Sequence, residues 1–338
     1  MSFYFGRKKN TPKVSVCIPV HNTETLLGRC LTALAEQNFY DLELVLINDQ
    51  SSGKDANGSS CKKIVSSFSR KSKIPLVYIE HNQKVPLLET RRELVEQAHG
   101  EYILMVDSDD FLDPGAVGKL YESAVSTGAD ITCARERVYK IQNGNYEITE
   151  ESYACFAEGK MTDREILDSW LHNKSSAFLW AKLIKRELYL EAFAEMPYMD
   201  CSISVDTPIY FFIAYHAKSY VGINEVVYYY LVNEGITSNK PIKDLDTWKR
   251  HCSVASIYTL LLTFEGDLTD EEKEALRNMS NRYVLNSVVR LRNQVIPELY
   301  TEARKLTCEY WGSDYVEFVE EMLDKSRPLK RFPGQAGE

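Results

Sequence analysis

The chain has 338 residues, 44% of them hydrophobic and 26% charged, with a formal net charge of −9 at pH 7. That length predicts one large domain with an appended subdomain, and the acidic balance argues against a general nucleic-acid binder. No apolar run nears the roughly 20 residues that cross a bilayer, and "MSFYFGRKKNTPK" lacks the apolar segment of a signal peptide, which predicts a cytoplasmic protein.

In chain order, "KVSVCIPV" alternates, with Val14, Val16, Ile18 and Val20 on one face of a strand. "HNTETLLGRCLTALAEQ" follows with a helical stripe of Leu26, Leu27, Cys30, Leu31 and Leu34. "DLELVLIND" is a nearly continuous apolar strand, as in the middle of a parallel sheet. A weaker helix over 61–68, the strand "PLVYIE", a helix over 87–98 ended by Gly100, and the strand "YILMVD" complete a doubly wound α/β pattern. Further on come a helix over 116–126, the strand "ADITCA", a hairpin turn at "QNGN", a helix in "SVDTPIYFFIAYHAKSY" and a strand in "YVGINEVVYYYLVN". Residues 245–325 read as helices. The predicted organisation is a catalytic α/β domain over 1–240, a helical subdomain over 241–326 and a flexible tail over 327–338. The eight cysteines are scattered without a C-x-x-C pair and read as buried free thiols.

Three polar clusters fall at three strand ends: Pro19 to Asn22, Asn48-Asp49, and Asp107 to Asp110. In a doubly wound sheet, ligands bind beyond the carboxyl ends of the strands, so this topology brings the clusters to one edge. The acidic run "VDSDDFLDP" is either a solvated turn or half of a metal site, since crowded carboxylates repel unless a positive group sits among them. A D-x-D of this kind suits Mg²⁺ or Mn²⁺ held with substrate phosphate oxygens. G-x-G-x-x-G after the first strand and G-x-x-x-x-G-K-[ST] are both absent, which counts against a dehydrogenase and a P-loop NTPase.

The ordered segments "VSVCIPVHNTETLLGRCLTALAEQNFYDLELVLINDQSSGKD", "TRRELVEQAHGEYILMVDSDDFLDPGAV", "LWAKLIKREL" and "VDTPIYFFIAYHAKSYVGINEVVYYYLVNEGITSN" resemble glycosyltransferase family 2 enzymes with a GT-A fold, of the bacterial surface-polysaccharide or glycoprotein-glycan type. The resemblance spans roughly 13–240. It implies a mostly parallel, Rossmann-like sheet with a helical C-terminal extension. By position it gives Pro19, Val20, His21, Asn22, Asp49, Arg91, Asp107 and Ser108 to the nucleotide sugar and Asp109 to the metal. Asp206 takes the part of general base, while Trp180 and Lys182 fall on the acceptor side. Its partners are a UDP-sugar donor, Mn²⁺ or Mg²⁺, and a glycan acceptor on a lipid or protein carrier. The sequence departs from the family pattern in "NQKVPLLETRREL", which lacks the usual glycine, and at Val205, which replaces the Glu of an E-D pair.

The resemblance implies metal-dependent inverting transfer of a hexose or N-acetylhexosamine. The two departures motivate an alternative, a catalytically weakened GT-A-like scaffold subunit of a glycosylation complex. The C-terminal helices would pair subunits or recognise the acceptor. The basic ends "FYFGRKK" and Arg327, Lys330 and Arg331 read as flexible, with peripheral contact to an anionic membrane face as the second reading.

Overall fold

The computed structural model describes residues 2–5, 11–142, 144–232 and 240–326. Two compact units divide the chain, Met1–Ile236 and Thr237–Glu338.

The first unit runs β1 (Ser2–Phe5), β2 (Val14–Val20), α1 (Glu24–Ala35), β3 (Leu42–Asn48), α2 (Cys61–Lys71), β4 (Leu76–Glu80), α3 (Leu87–Gln97) and β5 (Tyr102–Met105). It continues with β6 (Phe111–Leu112), α4 (Ala116–Thr127), β7 (Ile131–Gln142), β8 (Asn145–Ile148), β9 (Gly159–Thr162) and α5 (Arg164–Leu171). The last elements are β10 (Lys182–Lys185), α6 (Arg186–Glu195), α7 (Asp206–His216) and β11 (Ser219–Leu231). Among the described residues one sheet takes eleven strands in the order β1-β4-β3-β2-β5-β10-β7-β11-β6, with β8 on β7 and β9 on β11. Strands β4, β3, β2 and β5 are parallel, and β10 enters antiparallel between β5 and β7.

Every residue of β3 is buried, which explains its nearly continuous apolar run, because helices cover both faces of a central parallel strand. The stripe on α1 buries Leu27, Cys30, Leu31 and Leu34 against Val16, Ile18 and Leu46. Gly100 is required by a close approach: a Cβ there would lie 2.5 Å from the Ser15 amide nitrogen. The "QNGN" turn joins β7 to β8, with Gly144 at φ 77°.

Three elements differ from expectation. Ser2–Phe5, expected loose, pairs antiparallel with β4. The strand at "ADITCA" extends to Gln142 because its second half carries the β8 hairpin. "KLIK" forms β10 although lysines bracket only two apolar residues; both sides of the strand are hydrogen-bonded inside the sheet.

The second unit is helical: α8 (Leu245–Cys252), α9 (Val254–Leu262), α10 (Asp270–Gln294), α11 (Tyr300–Trp311) and α12 (Ser313–Ser326). A capping box of Thr269 and Glu272 starts α10. Its apolar face packs Leu291 against Trp248 and Ala303, and Val284 and Val288 against Val316 and Val319. Among the described residues no helix is long and apolar enough to cross a membrane. Arg327, Lys330, Arg331 and the rest of the tail lie outside the described residues, as do residues 233–239.

Candidate functional site

The chain passes from β2 outward to β3 and β4, then crosses back to lay β5 on the other side of β2. That reversal opens a crevice beyond the carboxyl ends of β2 and β5, the place where open α/β sheets bind ligands. His21 and Asn22 leave one of these ends and Asp107 the other. Asn22 (φ 56°), Gln50 (φ 54°) and Ser204 (φ 56°) hold left-handed backbone at this rim, a strain that side chains with a Cβ rarely accept. Local bonds keep the rim in shape. The Asn22 amide donates to Ser51 Oγ (3.0 Å), its Oδ1 accepts from the Ser52 amide (2.9 Å), and Thr23 Oγ1 meets Ser108 Oγ at 2.7 Å.

Arg91 stands at the centre of the crevice. It projects from α3 with a side chain only 5% exposed, and its guanidinium fork grips two carboxylates. Nη2 lies 3.1 Å from Asp107 Oδ1, and Nη1 pairs with Asp206 Oδ1. The start of α3 is itself tied to the segment before α7. The Leu87 amide donates to Ser202 Oγ (3.2 Å) and the Leu88 amide to the Cys201 carbonyl (3.3 Å). Those ties align Arg91, one turn further on, with Asp206 at the first position of α7. Val205 is buried beside it and adds no charge. Arg92, which replaces an Asn of the family pattern, serves the scaffold: it bonds Glu89 Oε2 at 2.8 Å and the carbonyls of Phe193, Met196 and Pro197.

The acidic turn is held from β11. Tyr228 Oη donates to Asp110 Oδ2 (2.8 Å) and accepts from the Asp107 amide (3.0 Å). The Leu231 amide donates to Asp110 Oδ1 (2.8 Å), and Tyr139 Oη donates to the Asp109 carbonyl. Burial, with Asp109 and Asp107 beside it, pushes the Asp110 carboxyl well above the usual range, so Asp110 is an internal brace. Burial and the Asp107 charge push Asp109 up to about 6. Among the described residues no cation or side-chain donor faces its carboxylate. The same three carboxylates reach Tyr230, whose phenol is raised by burial, by Tyr153 and then by Asp110, Asp107 and Asp109.

A second cluster closes the β3 end of the crevice. Asp49 accepts from His81 Nδ1 (3.0 Å) and from the Val85 amide (2.9 Å), and Lys84 Nζ lies 2.6 Å from its other oxygen. Burial opposes its charge, but the bonds from Lys84, His81 and Val85 outweigh that and hold Asp49 below the usual carboxylate range. His81 Nε2 continues to Glu93 Oε2 at 2.9 Å. His81 and Lys84 were not among the candidates from sequence. The signal for them was their place just after β4, one more strand end on the same edge.

The structure brings Asn22, Asp49, Arg91, Asp107, Ser108, Asp109 and Asp206 to this edge. Pro19 is half-buried inside β2. Val20 faces the core, so it offers the crevice only its backbone. His21 bonds the Asp49 carbonyl through Nδ1 (2.7 Å) and Asn22 through Nε2 (3.1 Å), so its ring joins two loops. The acceptor-side expectation for Lys182 is corrected. It is 1% exposed on β10, and its ammonium bonds the Phe178 carbonyl and lies over the Tyr210 ring. Trp180, 4% exposed, stacks on Phe178, Tyr228 and Tyr230 and offers almost no surface to an acceptor. Both turn inward because their segment leads into a strand at the centre of the sheet.

Residues 15–193 match the family Glycosyl transferase family 2. The chain is 30% identical over 181 residues to glycosyltransferase GlyA of Streptococcus pneumoniae, a match covering 52% of this chain and 25% of GlyA. It is 25% identical over 239 residues to the uncharacterized glycosyltransferase EpsJ of Bacillus subtilis, covering 69% of this chain and 64% of EpsJ. The chain thus spans well under two thirds of GlyA and just under two thirds of EpsJ. Among solved structures, S. aureus TarS 1-349 in complex with UDP is similar in fold, with a TM-score of 0.60, 18% identity, and 94% and 93% of the two chains covered. The mannosyltransferase PcManGT from Pyrobaculum calidifontis, in complex with GDP-Man and Mn²⁺, gives a TM-score of 0.55 at 13% identity, covering 94% of this chain and 81% of PcManGT. The chain belongs to glycosyltransferase family 2 and has the GT-A fold.

Proposed function

We propose that this family 2 chain is a metal-dependent, inverting glycosyltransferase. In this reading it moves a hexose or an N-acetylhexosamine from a UDP-sugar to a hydroxyl of a growing glycan on a lipid or protein carrier. The observation that carries the reading is the Asp107–Arg91–Asp206 constellation at the switch point of the sheet. The similarity to TarS, whose solved complexes hold UDP and UDP-GlcNAc, supports a nucleotide-sugar partner.

The residues fit a hard divalent cation. Asp109 has a carboxylate oxygen set, a neighbouring negative charge and a raised pKa that a cation would relieve. Among the described residues no group of three His, Cys, Asp or Glu side chains could hold a metal alone. The remaining positions would therefore fall to water and diphosphate oxygens, the usual habit of Mg²⁺. When bound, the cation supplies neutralisation of the charge that gathers on the departing diphosphate.

The chain's own residues do the rest. Asp49, fixed by His81 and Val85, presents the edge on which the uracil would rest. Arg91 offers its fork to the diphosphate, a bidentate match stronger than a neutral hydrogen bond. As Arg91 turns to the donor, Asp206 is freed to accept the proton of the acceptor hydroxyl. The acceptor oxygen bonds the anomeric carbon from the face opposite UDP while the bond to the diphosphate oxygen breaks. One displacement inverts the configuration and leaves UDP with the electron pair.

The test is UDP release from a panel of UDP-sugars, with Mn²⁺ or with EDTA, for wild type and Asp109→Ala. Turnover of one donor, lost in EDTA and in the variant, is expected. Metal-dependent UDP binding by calorimetry without turnover on any donor or acceptor favours the scaffold alternative. Absence of UDP binding overturns the nucleotide-sugar assignment.

A further inference from the structure

One exposed aromatic side chain packs on Tyr230, the ring that the carboxylates of the acidic turn reach. Tyr153 is 55% exposed, yet its position is strongly determined. Its amide, the Ala154 amide and Ser152 Oγ all donate to one oxygen of Glu136, at 2.7, 2.8 and 2.8 Å, and Glu136 is buried. A buried carboxylate that collects three donors is costly to disturb. The loop is tied again on both sides. The Val138 amide donates to the Glu151 carbonyl at 3.1 Å, and Tyr220 Oη donates to the Ala157 carbonyl at 2.8 Å.

These ties hold the Tyr153 ring, tilted, against Tyr230 (centroids 4.9 Å apart) and Phe178 (5.6 Å). Tyr230 stacks on Trp180 at 5.3 Å, and Trp180 on Tyr228 at 5.3 Å. Tyr228 in turn holds the Asp107 amide and the Asp110 carboxylate. A ladder of rings therefore runs from the metal-side carboxylates to the surface, and Tyr153 is its last, open rung. A flat ring held rigidly at low entropic cost, apolar on its face and polar at its tip, suits the C–H face of a pyranose.

We propose that Tyr153 is the platform on which the acceptor's sugar ring stacks while its hydroxyl faces the reaction centre. The proposal rests on the glycosyltransferase reading above and names the acceptor class for that site: a saccharide with an exposed apolar ring face. Trp180, the acceptor-side candidate from sequence, lies two rungs below Tyr153, with Tyr230 between them; it supports the platform from below.

The experiment compares wild type with Tyr153→Ala, Tyr153→Leu, Tyr153→Phe and Tyr153→Trp. The donor is the UDP-sugar that the wild type hydrolyses, and the acceptor probes are methyl glycosides of glucose, galactose and N-acetylglucosamine. Two quantities are read: UDP release without acceptor, and its stimulation as each probe is raised. Ala and Leu are expected to raise the acceptor KM tenfold or more, with unstimulated release and UDP affinity within twofold of wild type. Phe and Trp are expected to keep the wild-type KM, because they keep the ring. An Ala variant with a wild-type KM, or a Leu variant equal to Phe, overturns the proposal. So does a wild type stimulated by none of the probes, or a fall in unstimulated release that parallels the loss of transfer. Failure of the underlying reading looks different: the wild type itself would bind no UDP. Matching thermal midpoints among the four variants exclude misfolding as the cause.

Discussion

Arg91 and Asp206 lie 115 residues apart in the chain and form an ion pair in the crevice, with Asp107 on the guanidinium's other arm. The pair joins α3 to α7, so it ties the sheet edge to the helix that carries the proposed base. Replacing Arg91 with Met leaves two carboxylates facing each other in a half-buried site. Breaking one side of a buried pair costs about 3 kcal/mol or more, which urea unfolding would read directly. UDP release should fall below detection. Arg91→Lys restores charge without the fork and should recover only part of both losses. A Met variant as stable as wild type would show that the pair does not hold the two helices.

Asp109 gives a prediction with an unusual sign. Its carboxyl is pushed from the usual 3.8 up to about 6, by burial and by Asp107. The folded chain therefore holds that proton more tightly than the unfolded chain. Its contribution to stability is full below about pH 3.8 and is lost as pH rises through about 6. In metal-free buffer at pH 7.5, Asp109→Asn should raise the thermal midpoint, because it removes a charge worth up to roughly 3 kcal/mol of unfavourable energy. The same variant should lose metal-dependent UDP release. Wild-type affinity for Mn²⁺ should climb with pH up to about 6 and then level off, as the proton ceases to compete. A variant melting below wild type without metal would contradict this account.

Tyr228 tests whether the acidic turn needs its brace. Phe at this position deletes the hydroxyl that bonds both the Asp110 carboxylate and the Asp107 amide. A buried group left without its partner costs about 1–3 kcal/mol. The functional expectation is selective: the Mn²⁺ concentration for half-maximal UDP release rises severalfold, while UDP affinity measured with saturating metal changes little. Equal loss of both would mean that the phenol supports the whole crevice and not the turn alone.

Much of this arrangement was legible in the sequence, and the illegible parts share a cause. The order β2, α1, β3, α2, β4, α3, β5 followed from local patterns: alternation in "VSVCIPV", a nearly continuous apolar run in "LELVLIN", and a helical stripe in α1. The carboxyl-edge clusters followed from those strand ends. What local pattern could not show was pairing across the chain. Nothing near Lys182 says that "KLIK" will sit between β5 and β7, so the resemblance puts Lys182 on the acceptor side, whereas its ammonium is turned inward. Nothing near Tyr153 says that Glu136 will collect its loop. Lys84 and His81 come to Asp49 only once β3 and β4 are paired.

Gly222, on β11, is the remaining lever on the Tyr153 loop. A Cβ there would lie 1.9 Å from the Ala157 carbonyl oxygen and 3.0 Å from its carbon. The obstacle is backbone, which cannot rotate aside as a flexible side chain can. Gly222→Ala must therefore shift either β11 or the loop, and overpacking of this kind costs about 1–3 kcal/mol. Because β11 is paired with β7 and β9, the loop is the part expected to yield. Lifting it weakens the bond from Tyr220 Oη to the Ala157 carbonyl and then the three bonds to Glu136. Hydrogen exchange at the Tyr153 and Ala154 amides should accelerate by tenfold or more, while amides of β2 and β3 keep their protection. Exchange at Tyr153 unchanged in the Ala variant would mean that the loop is held by Glu136 alone and that contact with β11 adds nothing.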